Sequence, residues 1–176
     1  MGSEMCIRDR WEDIQTYYPS HQIINTGFGG SEMSDLLFYL EETVLRFSPS
    51  KVFIYEGDND VFSKRSITTI MKNTIKVVEA IEHKIPTCEI VLISAKPSIV
   101  RWHLKTEYEA LNQAFETYAA KKDNRSFADV WSIMLDEKQM VKPSIFIEDG
   151  LHMNKAGYDL WDKVLRPFIG LSLIHI

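Results

Sequence analysis

Apolar positions along this chain recur with two different periods, and the switches between them mark out the elements. From Ser66 to about Lys84, apolar residues fall at helical spacing (Ile67, Ile70, Met71, Ile75, Val78, Ile81), which predicts a long amphipathic helix. The same spacing predicts a helix from Tyr108 to about Lys122, carrying Leu111, Phe115 and Tyr118. A third runs to about Arg46, with Met33, Leu36, Leu37, Leu40, Val44 and Leu45 on one side and Ser31 or Ser34 as its cap. The last predicted helix is capped by Asn154 and carries Ala156, Leu160, Val164 and Leu165. Trp11 to Tyr18 reads as the end of a further helix, stopped at Pro19.

Short continuous apolar runs lie between these patterns: His21–Asn25, Lys51–Glu56, Glu89–Ala95 (closed by Pro97) and Ser126–Val130. Such runs fit buried strands. Strands alternating with helices mean βαβ crossovers and a parallel sheet covered by helices, so the expected fold is a three-layer α/β/α sandwich. Ligands of open sheets of this kind bind outside the carboxyl ends of the strands. Loops 27–31, 57–60 and 95–103 fall at such ends, and loop 149–152 would have to reach the same rim.

The chain has 176 residues, 45% of them apolar, which is enough for one core. A net charge of -5 without any dense Lys/Arg cluster argues against a nucleic-acid surface. No apolar run approaches the roughly 18 residues of a membrane span. The two ends look foreign to the rest. A DNA string encoding Met5-Cys6-Ile7-Arg8-Asp9 and the first two bases of the next codon has a reverse complement that encodes Leu171-Ser172-Leu173-Ile174-His175 and begins the codon of Ile176. That is the pattern of a transposase adapter translated in frame at both ends. Residues 1–10 and 171–176 are therefore set aside as non-native, leaving a domain over 11–170 that is expected to begin before Trp11. Cys6 and His175 leave the functional residues with them. Cys88 then has no cysteine to pair with and is expected to be a packed thiol.

Candidate chemistry sits in the loops. Asp149-Gly150-Leu151-His152 places a carboxylate three residues ahead of an imidazole across a glycine turn. An Asp so placed can fix the tautomer of a general-base His. Gly27-Phe28-Gly29-Gly30-Ser31 joins a predicted strand to a helix start, where free N–H groups suit a phosphate or an oxyanion; it also reads as a plain tight turn. In Gly57-Asp58-Asn59-Asp60 the Asn amide can donate to developing negative charge, the Asp pair suits a hard metal less well, and an Asx turn is the structural reading. Arg101 and Trp102 are balanced between lining a pocket and decorating a surface loop. His21, His83 and His103 read as surface residues.

Taken in order, these blocks resemble the SGNH, or GDSL, family of serine esterases. Asn25–Ser31 is similar to the family's glycine block, Gly57–Asp60 to its G-x-N-D block and Asp149–His152 to its D-x-x-H block. The resemblance implies a flavodoxin-like sandwich and hydrolysis of a small-molecule carboxylic ester without metal or organic cofactor. It implies His152 as general base, Asp149 as its orienting carboxylate, and Gly30 and Asn59 as oxyanion-hole donors. One block is missing: no strand followed by G-D-S or G-S-S is present. The nucleophilic Ser is thus expected to be absent from this chain, together with the first, central strand, which the family sets between the strands ending at Asn25 and Glu56. The chain alone is then expected to be inert. The alternative is a flavodoxin-like module binding a nucleotide or flavin.

Overall fold

Three of the apolar runs become strands because each finds a parallel partner. In the computed structural model, which describes residues 14–170, these are β1 (Lys51–Ile54), β2 (Glu89–Ile93) and β3 (Arg125–Ala128). They form one sheet in the order β1-β2-β3, with Lys51 opposite Glu89 and Ile90 opposite Arg125. Trp11, Cys6, His175 and the adapter-like ends lie outside the described residues. β2 is paired on both edges, and Ile90, Val91, Leu92 and Ile93 are all buried. A strand covered on both faces is apolar at successive positions, which is why its sequence shows a run and not an alternation.

Helices flank this sheet and make the α/β/α layers. In chain order they are α1 (Ile14–Tyr17), α2 (Met33–Phe38), α3 (Leu40–Thr43), α4 (Asp58–Phe62), α5 (Ile67–Lys84), α6 (Lys105–Ala119), α7 (Val130–Ile133) and α8 (Lys155–Gly170). The β1-to-β2 crossover runs through α4 and α5, and the β2-to-β3 crossover through α6. The Ser66 hydroxyl accepts from the Thr69 N–H at 3.2 Å and starts α5, whose Ile70, Val77, Val78 and Ile81 are buried. α6 buries Tyr108, Leu111 and Phe115. Cys88 is fully buried at the entry to β2, and burial pushes its thiol up to about 11. No helix among the described residues is long and apolar enough to cross a membrane.

Three expectations fail. Residues 21–25 form no strand and belong to no sheet. Their backbone is held by a side chain instead: the Gln15 carboxamide donates to the His21 carbonyl at 2.6 Å and accepts from the Ile23 N–H at 3.2 Å. A strand needs a neighbour to satisfy its backbone, and here Gln15 has taken part of that task. The helix expected up to Arg46 is broken at Tyr39 and again at Val44, whose φ of -131 leaves the helical basin. The Tyr39 ring meets Phe28 edge-on at 5.8 Å and Val44 is buried, so tertiary contacts override local propensity. Neither Ser31 nor Ser34 caps α2. The cap residue is Glu32, whose N–H donates to the Asp35 carboxylate at 2.9 Å.

Asn154 does start α8: its side-chain oxygen accepts from the Gly157 N–H at 3.3 Å, and its amide donates to the Ser144 and Phe146 carbonyls. Gly157 lies in the first turn of that helix, where a Cβ would stand 2.7 Å from the Ile145 carbonyl oxygen and 2.8 Å from Met153 Cβ. Alanine normally favours a helix over glycine by up to about 1 kcal/mol. Here the steric cost is larger, because one obstacle is a backbone carbonyl and the other a Cβ, whose place its own backbone fixes. Gly157→Ala is expected to destabilise the chain by about 1–3 kcal/mol, read as a lower urea midpoint with an unchanged slope.

Candidate active site

The Asp149–His152 loop is closed by an antiparallel bridge between Phe146 and Met153, and the Ile147 N–H donates to the His152 carbonyl at 2.9 Å. Closing so short a loop requires a left-handed residue at its tip, and Gly150 supplies it with φ +64. The turn then folds Asp149 back on itself. Its Oδ1 accepts from the Leu151 and His152 N–H groups, both at 2.9 Å, and its Oδ2 lies 2.6 Å from His152 Nδ1. Burial alone would raise the Asp149 pKa, but the His152 ring and these two N–H groups overrule it and hold the carboxyl down to about 2. An ionised carboxylate only accepts, so the proton of a neutral His152 resides on Nδ1 and its Nε2 is left as a base. No group among the described residues is hydrogen-bonded to that Nε2.

Gly57 turns the chain from β1 into α4 at φ +105, where a Cβ would lie 2.7 Å from Leu111 Cδ2, so only glycine fits. The three polar residues after it point in different directions. The Asp58 carboxylate accepts from the Tyr108 hydroxyl at 2.6 Å and from Arg101 Nη1 at 2.7 Å, with Lys96 Nζ 4.0 Å away. Burial would push Asp58 up, but the Lys96 and Arg101 charges and the bonds from Tyr108 and Arg101 leave it below the usual range. Asp60 accepts from the Met33 N–H at 2.9 Å and ties α4 to the start of α2. The two carboxylates therefore do not converge on a common point. Between them, Asn59 donates from Nδ2 to the Ser31 carbonyl at 3.0 Å, while its Oδ1 accepts from Arg101 Nη1 and Nη2, each at 3.2 Å.

The Asn59–Ser31 bond brings the glycine loop to this corner. Gly30 precedes Ser31, is exposed, and has φ +75 with nothing within 4 Å of a would-be Cβ. Among the described residues its N–H donates to no partner. Ser31 is buried, and its hydroxyl is engaged by Glu56 Oε1 at 2.7 Å and the Phe28 carbonyl at 3.0 Å. Ser34 lies within α2, exposed.

Loop 95–104, at the carboxyl end of β2, holds these parts together. The Ile99 and Val100 N–H groups donate to the Gly150 carbonyl at 2.9 and 3.4 Å, and Lys96 Nζ donates to the Leu151 carbonyl at 2.7 Å. From the same loop Arg101 reaches Asp58 and Asn59. Arg101 is thus no surface residue: it is 4% exposed and bridges into the Asn59 loop. Its neighbour Trp102 stacks on Trp131 at 5.9 Å between centroids. Sequence offers one hint of this, a cation placed among apolar residues at a strand's carboxyl end. His83 and His103 are exposed, as expected of surface residues, whereas His21 is half-buried with Nε2 unpartnered.

His21 and Glu56 both line a cavity of about 720 Å³ that separates segment 21–28 from the free edge of β1, with Ile54 and Trp161 also on its wall. Burial, only partly offset by the Ser31 hydroxyl and reinforced by Asp60, Asp35 and Asp58, pushes the Glu56 carboxyl up to about 8. Asp60 is pushed up to about 6, again chiefly by burial. A carboxyl whose folded pKa is raised keeps its proton in the folded state while the unfolded chain has lost it, so stability falls as pH rises between the two values. Glu56→Gln is expected to leave stability near pH 4 unchanged. By pH 8–9 the variant should be the more stable by about 1–3 kcal/mol, read from thermal midpoints across that range.

The sequence profile of the GDSL-like Lipase/Acylhydrolase family matches residues 7–160 of the chain. No curated protein matches it. Among solved structures, a Streptococcus pneumonia protein provisionally described as a platelet activating factor is similar at TM-score 0.81 and 23% identity, over 89% of this chain and 77% of the other. A GDSL-like lipase from Bacteroides thetaiotaomicron is similar at TM-score 0.79 and 22% identity, over 93% and 83%. A catalytic mutant of an acetylxylan esterase from Geobacillus stearothermophilus is similar at TM-score 0.74 and 19% identity, over 89% and 77%. At these identities the likeness is one of fold.

Proposed function

The chain belongs to the GDSL-like lipase/acylhydrolase family, and from that premise we propose that its parent protein cleaves a carboxylic ester of a small acyl group by a Ser-His-Asp mechanism. The observation that carries this reading is the 2.6 Å contact between Asp149 and His152, in a loop tied through residues 96–101 to Asn59. Acetyl or another short acyl group is the proposed cargo, in keeping with the esterase named among the similar folds.

In the proposed reaction a serine Oγ attacks the acyl carbonyl while His152 Nε2 takes its proton, leaving an imidazolium that Asp149 stabilises. The carbonyl electrons move onto oxygen, and the serine N–H, the Gly30 N–H and the second Asn59 Nδ2–H hold that oxyanion. Collapse expels the alcohol, which takes the proton back from His152. Water, deprotonated by the same nitrogen, then releases the acid and restores the serine.

The serine is proposed to come from outside residues 14–170. In support of this, the hydroxyl of Ser31, at the end of the glycine block, is engaged by Glu56, and no described hydroxyl is hydrogen-bonded to His152. The cavity along the β1 edge lies where the family resemblance sets a further strand. The nucleotide or flavin reading gains nothing from the site, since it leaves the Asp149–His152 pair without a task. The test is a short-chain ester assay. The 176-residue chain should leave the ester intact, and the protein lengthened by its upstream coding sequence should hydrolyse it. Hydrolysis by the shorter chain that is lost in His152→Ala would remove the proposal.

A further inference from the structure

We propose that Arg101 is a positioning residue for Asn59: it grips the carboxamide by its oxygen and so turns the amide nitrogen towards the Gly30–Ser31 corner. The inference rests on the reading of Asn59 as an oxyanion donor. A carboxamide has two orientations of nearly equal shape, and only its partners decide between them. Guanidinium nitrogens donate and never accept, and both Arg101 Nη1 and Nη2 lie 3.2 Å from the same Asn59 atom. That atom must be the oxygen. At the other end the Ser31 carbonyl, which only accepts, lies 3.0 Å from the remaining atom, which must be the nitrogen. A flipped amide would set donor against donor at one end and acceptor against acceptor at the other. One N–H is spent on Ser31, and the second is left for a ligand.

Arg101 is itself held for this work. Its guanidinium donates to Asp58 Oδ1 at 2.7 Å, lies 4.3 Å from the Phe62 ring centroid, and its backbone N–H donates to Ser98 Oγ at 3.2 Å. Asp58 occupies the variable position of G-x-N-D, so this anchor belongs to this chain's own version of the block. A positive charge resting on the amide oxygen also draws density from Nδ2 and makes the free N–H a stronger donor. Lysine cannot replace it, because a point charge drawn to Asp58 lacks the planar fork that also reaches Asn59. The bland role, neutralising Asp58, would be served by either cation.

The side-chain amide of Asn59 reports the difference directly in ¹⁵N–¹H spectra of the 176-residue chain, without any need for hydrolysis. In the unaltered chain the Asn59 N–H bonded to Ser31 should exchange slowly with solvent, and an Arg101 Nη proton should show a coupling across the hydrogen bond to Asn59 Cγ. In Arg101→Lys the pair should shift and that N–H should exchange roughly tenfold faster, the worth of one hydrogen bond, while the backbone spectrum stays dispersed. In Arg101→Met the change should be at least as large. An Asn59 pair unchanged in Arg101→Lys overturns the proposal, since charge alone would then suffice. If neither variant folds, the unaltered chain decides: no coupling from Arg101 to Asn59 Cγ overturns the proposal. Failure of the esterase reading is seen separately, in the ester assay.

Discussion

Replacing His152 by alanine in the proposed serine-bearing parent is expected to lower kcat/KM by about 10⁴-fold or more. The magnitude follows from what the imidazole does in the proposed cycle. It takes the serine proton in acylation, returns it to the leaving alcohol, and activates water in deacylation, so one substitution removes every proton transfer. The size of the loss separates general-base work from substrate binding. A binding residue would raise KM by a modest factor and spare kcat, whereas this variant should keep KM and lose kcat. Asp149→Asn is the companion, since it keeps the shape of the loop but turns the partner of Nδ1 from an acceptor alone into a donor as well. The measurement is steady-state hydrolysis of a short-chain ester by the two variants beside the unaltered parent.

Asn59→Ala is expected to cost about 10²–10³ in kcat of the same parent, the usual loss for one oxyanion donor. The geometry makes this a clean test. Asn59 touches Ser31 and Arg101, so alanine removes the donor and leaves the Gly57 turn, Asp58 and Asp60 in place. Asn59→Asp is the sharper variant, because it puts a negative charge where the oxyanion forms. It should therefore be slower than alanine although it can still accept from Arg101. An alanine variant with unchanged kcat would reduce Asn59 to a structural tie between two loops.

The limits of sequence reading follow the distance over which each feature is decided. The Asp149–His152 contact spans three residues and is fixed by the turn at Gly150, so the local motif displayed it. The Asn154 cap is equally local. The α5 and α6 periods displayed their buried faces because one side of each packs on the core. Arg101 was not legible in the same way: its partners Asp58 and Asn59 are more than forty positions away and meet it only because β1 and β2 are neighbours. Residues 21–25 failed for the converse reason. An apolar run records that a segment is covered, not which backbone lies beside it, and Gln15 satisfies part of this one. The breaks at Tyr39 and Val44 were hidden because ring contacts and burial, not helix propensity, set them.

We propose, then, that the chain carries the base and oxyanion half of a serine esterase whose serine lies outside residues 14–170. The most direct test is the intact mass, and then the labelled peptide, of the protein with its upstream coding sequence restored, after reaction with a fluorophosphonate. A single adduct is expected, on a serine N-terminal to residue 14, and none when His152 is alanine. An adduct on Ser31 or another serine of residues 14–170, or no adduct on the lengthened protein at all, would contradict the proposal.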